Sequence, residues 1–393
     1  MPRTVEDGVR LYGGAAVYIS WRRGCTLFGV EAAQLAKQIC DRVDAKLHSF
    51  ACFDSDGLRH VGRHADRTAS RLSAEDRANA VSVTDQGGSF ATNRGVSLAK
   101  SPERESQYWE AIGFPPRRTA AERADPYRPL RVVTFNIAGA YPIKSKGLFG
   151  YNDKPNLDYF SMLFDRLDAD VILIQEGEVG PAGSTVRKLA QRTGYEHVFE
   201  SKVCPTHLSK TPDTELSLAV LSRLPIDGGE AIQLPTPMAK LVFRGEPTVP
   251  YPRWAQRADI LGINFWQLFP NPHGAMRSSY EHGVGAQDAA SIARTMTSNI
   301  KSPAILGADF NTENPTKVYG KAFDEIGVKM SLPPDTKTVF WDANPDQIGA
   351  TKQFETVASG AGRSTTDHFP AWVDYEIKDP AMRERVAAAR RAQ

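Results

Sequence analysis

The sequence predicts an α/β protein, in which apolar strands alternate with helices along most of the chain. Short apolar runs of strand length recur between residues 130 and 377, and segments with apolar residues at helical spacing lie between them. Several of the apolar runs end in Asn, Asp, Glu or His. A chain of 393 residues is long enough for a large core and for more than one domain.

Composition is that of an ordinary globular protein, with 41% hydrophobic and 24% charged residues. Lys and Arg number 48 against 46 Asp and Glu, so affinity for a polyanion has to come from local clusters. No run reaches membrane-spanning length, and we expect no secretory signal and no membrane span. The cysteines lack metal-ligand spacing and are interpreted as free thiols of a cytoplasmic protein: Cys25, Cys40, Cys52 and Cys204.

Residues 1–128 differ in texture and are predicted to form a small N-terminal region of unknown role, α/β or partly irregular, with a polar linker. Val9 to Ile19 predicts one or two strands, and the apolar spacing from Val30 to Leu47 predicts a helix. The tract from His60 to Arg128 is rich in Arg, Asp, Ser and Gly, with one predicted helix at Ser73 to Val81. Its arginines are typical of a solvated surface, with phosphate contact as the alternative.

Residues 129–378 are predicted to form the main domain, and residues 379–393 a basic helical tail. The predicted strands are Arg131 to Asn136, Ala169 to Glu176, Ser217 to Leu224, Ala258 to Trp266, the run that ends at Asn311, and a last strand after Pro370. The predicted helices are Asn156 to Leu167, Ser184 to Thr193, Gly285 to Ile300 and Met382 to Arg391.

The stretch Ile305-Leu-Gly-Ala-Asp309-Phe-Asn311 ends in a carboxylate and an amide two positions apart, which places both on one face. Taken alone, such a pair is typical of a turn in which the side chains bond nearby backbone. Comparable endings recur on distant segments at Asn136, Glu176 and Asp367-His368. A core that ends several strands in this way is predicted to build one site, suited to a hard cation, a phosphate oxygen or an attacking water.

These segments together resemble the endonuclease/exonuclease/phosphatase family, which has the deoxyribonuclease I-like fold. The resemblance covers residues 130 to 377 and implies an α/β (α+β) fold, a four-layer αββα sandwich with the site at one edge. The segments that carry it are Thr134-Phe-Asn136-Ile, Ile174-Gln-Glu176, Leu218-Ala-Val-Leu-Ser-Arg223, Leu306-Gly-Ala-Asp309-Phe-Asn311 and Thr366-Asp367-His368-Phe-Pro370.

The resemblance implies a divalent metal, with Glu176 as the main ligand and Asn136 and Asp367 beside it. Mg²⁺ suits a ligand set made only of oxygens, and Mn²⁺ is the alternative. Such an ion would neutralise the charge that develops on the phosphate and the leaving oxygen.

The resemblance also implies the catalytic residues. Asp309 would orient or deprotonate the attacking water, and Asn311 would bond a phosphate oxygen. His368 would donate a hydrogen bond to the phosphoryl oxygens in the transition state, with Asp367 orienting it or favouring its imidazolium form.

Three departures from the family pattern stand in the sequence. Many relatives carry Asn-x-His-Leu where this chain has Asn264-Phe-Trp266-Gln-Leu, and indole cannot shuttle a proton. His273 and His282 follow in a loop, and either could fold back. A second, mild departure is that Ala308 replaces the usual Gly before Asp309.

Relatives also show Arg-Ile-Asp-Tyr before the Asp-His turn. Thr351 to Val357 stands there in this chain, so the expected Asp is missing, and Glu355 or Asp342 could replace it.

The first hypothesis for function is a metal-dependent DNA endonuclease, because the Thr-Asp-His-Phe-Pro form is more like that of nucleases and general phosphodiesterases. The alternatives are a phosphatase or phosphodiesterase acting on a small or lipid phosphate, and an inactive module that binds nucleic acid or protein. The predicted substrate-binding residues are Tyr141, Lys144, Arg223, Asn264 and Trp266.

Overall fold

The computed structural model describes residues 9–12, 16–19, 102–143, 150–209, 211–237, 239–243, 246–341 and 343–393. The chain divides into two compact units, one of residues 1–94 with 144–150 and one of residues 95–143 with 151–393. In the first unit, β1 (Val9–Tyr12) and β2 (Ala16–Ile19) pair as an antiparallel hairpin, as the sequence predicts. The helices predicted at residues 30–47 and 73–81 lie outside the described residues.

The second unit contains the remaining described elements. Its strands are β3 (Leu130–Asn136), β4 (Val171–Gly180), β5 (Gly183–Ser184), β6 (His197–Pro205), β7 (Glu215–Ser222), β8 (Ile226–Gln233), β9 (Leu241–Phe243), β10 (Glu246–Thr248), β11 (Trp254–Ile260), β12 (Ile263–Phe269), β13 (Ala304–Asp309), β14 (Lys329–Met330), β15 (Asp346–Ala350), β16 (Phe354–Ala361) and β17 (Ala371–Ile377). Its helices are α1 (Pro102–Ala111), α2 (Ala120–Ala124), α3 (Leu157–Leu167), α4 (Thr185–Thr193), α5 (Gly283–Asn299), α6 (Pro315–Glu325) and α7 (Pro380–Arg391).

Two mixed sheets pack face to face in this unit. One has the order β14-β15-β13-β12-β11-β8 and the other β16-β17-β3-β4-β7-β6. Val132 on β3 and Ile305 on β13 belong to the apolar cluster between the sheets. Their neighbours Val133 and Leu306 belong to the clusters beneath the outer helices, because successive strand residues point to opposite faces. Both faces of the central strands are therefore buried, which explains their continuous apolar runs.

Helices cover the outer face of each sheet and complete four layers. α3 and α4 contribute to the cluster on one side, and α5 and α6 to the cluster on the other. Asn156 and Ser184 cap α3 and α4, accepting hydrogen bonds from the backbone of Tyr159 and Arg187. The αββα sandwich that the sequence predicts is confirmed. Among the described residues, none of the helices combines the length and apolarity that crossing a membrane requires.

The segments before and after the sandwich pack onto it more closely than their polar sequences indicate. Trp109 of α1 and Phe114 are buried in the same cluster as Trp372, whose indole Nε1 donates to the carbonyl of Gly113 at 2.9 Å. In α7, Met382 and Val386 reach the cluster between the sheets, so the basic tail is a docked helix. Helices α1, α2 and α6 were not predicted. Polar helices with only a few apolar residues show little hydrophobic periodicity in the sequence.

Candidate functional site

Polar side chains converge at one edge of the sandwich, where β3 and β13 end and where β4 shifts its register; β4 continues to Gly180, so the predicted strand end at Glu176 is four residues too early. β3 and β4 run parallel, with Asn136 opposite Gln175, so Asn136 and Glu176 reach the same edge. Asn136 Nδ2 donates to Asp309 Oδ2 at 3.0 Å and thereby joins the two sheets. All three side chains are buried. The structure therefore brings these predicted site residues together.

The backbone is in the left-handed region at two of the predicted site residues. Glu176 has φ 53° and Asn311 has φ 52°, and the pairing of β4 with β7 shifts register between Ile174 and Gly177. This conformation is costly for residues with a Cβ, and it persists where the surroundings impose it, often at functional sites. Asn311 is held by its backbone amide, which donates to Asp309 Oδ1 at 2.8 Å, and by its Nδ2, which donates to the carbonyl of Pro270 at 3.0 Å.

His368 lies between two carboxylates. Its Nδ1 is 2.8 Å from Asp346 Oδ2, and its Nε2 is 3.7 Å from Asp309 Oδ2. Burial alone would lower the pKa of His368, but the charges of Asp346, Asp309 and Asp367 raise it well above its ordinary value. The imidazole is therefore held protonated, with Nε2–H directed toward Asp309.

Asp346 is the acidic partner that the sequence prediction placed wrongly. It begins β15, opposite Asp309 on β13, whereas residues 351–353 form the turn between β15 and β16. Glu355 is exposed and pairs with Lys378, and Asp342 lies outside the described residues. The run Asp346-Gln-Ile-Gly-Ala, an acid that opens an apolar strand, was the available signal.

Glu176 and Asp367 provide carboxylate oxygens for a cation. Burial first, and then the charges of Asp367 and Asp309, raise the pKa of Glu176 to about 7. Asp367 Oδ2 accepts from the Tyr151 hydroxyl at 2.8 Å, whereas its Oδ1 is buried without a hydrogen-bond partner. Crowded carboxylates with an unsatisfied oxygen fit a divalent cation of the Mg²⁺ or Mn²⁺ type.

A second set of potential ligand atoms, from Asp309, Asp346 and His368, lies within 4.8 Å of one another. This set suits a cation less well, because His368 Nδ1 already bonds Asp346 and Asp309 Oδ2 already accepts from Asn136. The arrangement is better described as a histidine oriented by one carboxylate and directed at another.

Arg223, a predicted substrate contact, does not lie at the cluster. It follows Ser222, which pairs with Val171. Val171 is the first residue of β4 and lies five residues before Glu176. Arg223 Nε donates to the carbonyl of Ala169 at 3.2 Å, and its guanidinium lies 4.6 Å from the centre of the Tyr195 ring. Arg223 therefore makes its contacts near the start of β4, away from the cluster.

Asn264 and Trp266, two further predicted substrate contacts, also lie away from the cluster. Asn264 pairs with Ala304 at the start of β13, at the opposite end from Asp309, and its Nδ2 donates to Asp259. Trp266 is fully buried in the cluster beneath α5. The predicted single strand from Ala258 to Trp266 is two antiparallel strands, β11 and β12, joined by a turn at Leu261 and Gly262. β12 also continues to Phe269, so the prediction placed its end three residues too early.

Tyr141 is buried, and its hydroxyl donates to Glu178 Oε2 at 3.0 Å. Its role as a substrate contact stays a prediction. Lys144 lies outside the described residues.

Arg253, which the sequence offers as a candidate contact to a DNA backbone, and Asn271, which was not predicted, are donors at this edge. Asn271 follows Pro270, whose carbonyl holds Asn311, and its Oδ1 accepts from Arg253 Nε at 3.2 Å. The Arg253 guanidinium lies 4.6 Å from the centre of the Phe269 ring. Both side chains are buried, and Arg253 Nη1 and Asn271 Nδ2 have no hydrogen-bond partner. Such donors are available to a substrate oxygen.

His273 and His282, the two candidates for the missing strand histidine, have other environments. His273 is buried, and its Nε2 is 2.8 Å from Asp288 Oδ2 on α5. His282 is exposed and precedes α5. The pairing of His273 anchors the loop after β12 to α5.

The fold is shared with solved structures at low sequence identity. The chain is similar to an endonuclease/exonuclease/phosphatase from Beutenbergia cavernae, with 19% identity, a TM-score of 0.50, and coverage of 64% of this chain and 72% of that chain. A mannosyl-6-phosphatase from Bacteroides thetaiotaomicron has 14% identity, a TM-score of 0.41, and coverage of 63% and 99%. An AP endonuclease from Archaeoglobus fulgidus has 15% identity, a TM-score of 0.44, and coverage of 63% and 100%.

A comparison with curated protein sequences finds no match for this chain. The model of the Endonuclease/Exonuclease/phosphatase family, by contrast, matches residues 133–370, which is more than half of the chain. That span begins in β3 and ends just before β17, and it contains the polar strand ends that meet at one edge of the sandwich. This chain therefore belongs to the endonuclease/exonuclease/phosphatase family, whose members hydrolyse phosphoester bonds and generally depend on a divalent metal.

Proposed function

We propose that this protein is a divalent-metal-dependent phosphodiester hydrolase that cuts DNA internally. The observation that carries the proposal is the convergence of Asn136, Glu176, Asp309 and His368, from four distant segments, at one edge of the sandwich. The form Thr366-Asp-His-Phe-Pro370 supports a phosphodiester substrate such as DNA, because it is more like that of nucleases and general phosphodiesterases.

Glu176 and Asp367 hold the cation in this proposal. Asn136 donates to Asp309, and its Oδ1 accepts from the amide of Ala138 at 3.0 Å, which leaves one oxygen lone pair for the cation. When bound, the ion supplies positive charge against the phosphate and the leaving oxygen. Tyr151 orients Asp367 through its hydroxyl.

Asp309 accepts the proton of the attacking water. It is fully buried and held by Asn136 and Asn311, so its carboxylate has a fixed direction. The water oxygen forms a bond to phosphorus as the bond to the leaving oxygen breaks, and the proton moves to Asp309.

His368, kept protonated by Asp346, donates Nε2–H to a phosphoryl oxygen where negative charge grows. Arg253 Nη1 and Asn271 Nδ2 donate to other oxygens of the same phosphate group. Buried donors that are already oriented need no reorganisation during the reaction, which is why they stabilise its transition state.

The test is nicking of supercoiled plasmid by the purified full chain. We expect nicking with Mg²⁺, none with EDTA, and a loss of about 100-fold or more in Glu176→Gln and Asp309→Asn. The matched control is Glu200→Gln, a buried carboxylate outside the cluster that accepts from Ser184 on β5 and Ser217 on β7, and it should retain activity.

Three results would count against the proposal. Nicking that survives Glu176→Gln would exclude the metal assignment. Turnover of small phosphoesters without cleavage of plasmid would exclude DNA as the substrate. Binding of DNA without turnover under any metal would make the protein a binding module.

A further inference from the structure

A cavity of about 510 Å³ lies on the outer side of the sandwich, between α1 and α3. Its lining includes the indole of Trp109, three carboxylates and three arginines, namely Glu105, Asp158, Asp165, Arg117, Arg166 and Arg192. None of these residues belongs to the candidate catalytic cluster.

Arg166 is a buried cation without a hydrogen-bond partner. Its side chain lines the cavity, it is only 6% exposed, and all three guanidinium nitrogens lack an acceptor. Arg131, which is equally buried, instead donates to both carboxylate oxygens of Asp374 at 2.8 Å and to the carbonyl of Leu167 at 3.1 Å. Burying an unpaired charge costs several kcal/mol in proteins, so Arg166 requires an anion.

The acidic residues around the cavity do not supply that anion by direct contact. Asp158 pairs with Arg192 at the rim, and Glu110 accepts from Ser106. Burial lowers the pKa of Arg166, with Arg117 adding to the effect and Glu110 and Glu105 opposing it, but a guanidinium keeps its charge at neutral pH. Burial also raises the pKa of Asp165.

The cavity is far from the catalytic cluster. Arg131, at the start of β3, donates to Leu167, the neighbour of Arg166, whereas Asn136 ends the same strand. Five residues of strand separate the two ends by roughly 17 Å. A ligand in the cavity therefore lies at the opposite end of the sheet from the proposed scissile phosphate.

We propose that this cavity is a second anion site, which binds the phosphate group of a small molecule through Arg166 with Arg117. The three guanidinium nitrogens of Arg166 have no acceptor, so they can donate pairs of parallel N–H hydrogen bonds to the oxygens of a phosphate group. The volume exceeds that of a phosphate group and falls in the range of small-molecule pockets, and Trp109 and Met162 provide apolar walls for the rest of the ligand.

The test is thermal unfolding of the full chain, with EDTA present so that no cation recruits phosphate to the catalytic cluster. In chloride buffer, Arg166→Met should melt at the wild-type temperature or above it, because it removes an unpaired buried charge. Orthophosphate about tenfold above its Kd should raise the wild-type Tm by about 2 to 3 °C, and should not raise that of Arg166→Met. Plasmid nicking should be the same in both.

Arg131→Met is the matched control, since it breaks a paired buried arginine and should lower the Tm in every buffer. Arg117→Met, at an exposed position, should weaken orthophosphate binding several-fold in equilibrium dialysis if Arg166→Met does not fold. Three results would overturn the proposal: a lower Tm of Arg166→Met in chloride, an equal phosphate shift in both proteins, or a shift that acetate reproduces and phosphate does not.

Discussion

His368 and Asp346 show how a buried pair sets the charge of a proposed catalytic group. Asp346 is fully buried, and burial raises its own pKa to about 6, with the charge of Asp309 adding to the effect. The ion pair with His368 acts in the opposite direction and keeps the carboxylate ionised while the imidazole stays protonated. The proposed hydrogen bond from Nε2–H to phosphate depends on that balance.

Asp346→Asn should therefore move the pH dependence of hydrolysis. The carboxylate raises the pKa of His368, so activity that needs the imidazolium is lost as pH rises through that elevated pKa. Without the charge, the pKa falls, and the alkaline limb of the kcat profile should move to lower pH by about one to three units. A profile measured with saturating plasmid and Mg²⁺ checks the shift.

The pH profile of Asp346→Asn needs a control for structural effects of the substitution that are unrelated to the protonation of His368. Asp288→Asn, in the other buried His-Asp pair, should leave the alkaline limb where it is in the wild type. An alkaline limb that does not move in Asp346→Asn would mean that His368 is not the group whose protonation the reaction requires.

At the scale of elements, α7 forms a buried ion pair with the sandwich through the carboxylate of Asp170. Arg390 of α7, Arg118 and Arg128 all lie within 3.4 Å of the carboxylate oxygens of Asp170, which directly precedes β4. Burial alone would raise the pKa of Asp170, but the three arginines lower it to about 2. The last helix and the segment before β3 therefore share an anchor.

The lowered pKa makes this anchor sensitive to acid. The folded-state pKa lies below the ordinary value of 3.8, so the stabilisation is present above about pH 4 and is lost as pH falls toward 2. The difference corresponds to about 2 kcal/mol. Asp170→Asn should cost about 3 to 5 kcal/mol at pH 7, since it leaves buried arginines unpaired, and should flatten the pH dependence between 4 and 2.

Urea unfolding at several pH values measures both effects. Asp158→Asn is the control, because the Asp158 side chain is 93% exposed and its pair with Arg192 should contribute less than about 1 kcal/mol. Equal losses in the two variants would contradict the assignment of Asp170 as the anchor of α7.

At the scale of the whole molecule, the division into two units predicts where the chain can be shortened. A chain that starts at Gly95 keeps α1, α2 and the complete sandwich, and should fold and nick plasmid. A chain that starts at Leu130 loses Trp109, Phe114 and Arg118, all buried against the sandwich. Removing the two aromatic anchors alone should cost about 3 to 5 kcal/mol each, so this chain should fail to fold.

Thermal melts and plasmid nicking on the two shortened chains check this prediction. Loss of activity in the chain from Gly95, with its melt unchanged, would assign part of the function to residues 1–94. Normal folding of the chain from Leu130 would contradict the role given to Trp109 and Phe114.

Strand endings were the part of the site that could be predicted from the sequence. An apolar run followed by a polar residue is a local pattern, so Asn136, Glu176 and Asp309 could be identified without knowing the sheet order. Asp346 and Asn271 could not be assigned in that way. Asp346 acts through its antiparallel pairing with Asp309, and Asn271 lies beyond a strand whose true end only the register shows.

The amino-acid sequence by itself determined the alternation of strands and helices and the polar residues that follow several apolar runs, and its resemblance to the family implied the αββα layers. Periodicity and strand endings are properties of neighbouring residues, which is why they can be recognised from the sequence without a structure. Only the tertiary structure decided which carboxylate orients His368, which donors are left for a phosphate, and that Arg166 is buried without a partner. Those properties arise from pairings between segments far apart in the chain, and no local pattern contains them.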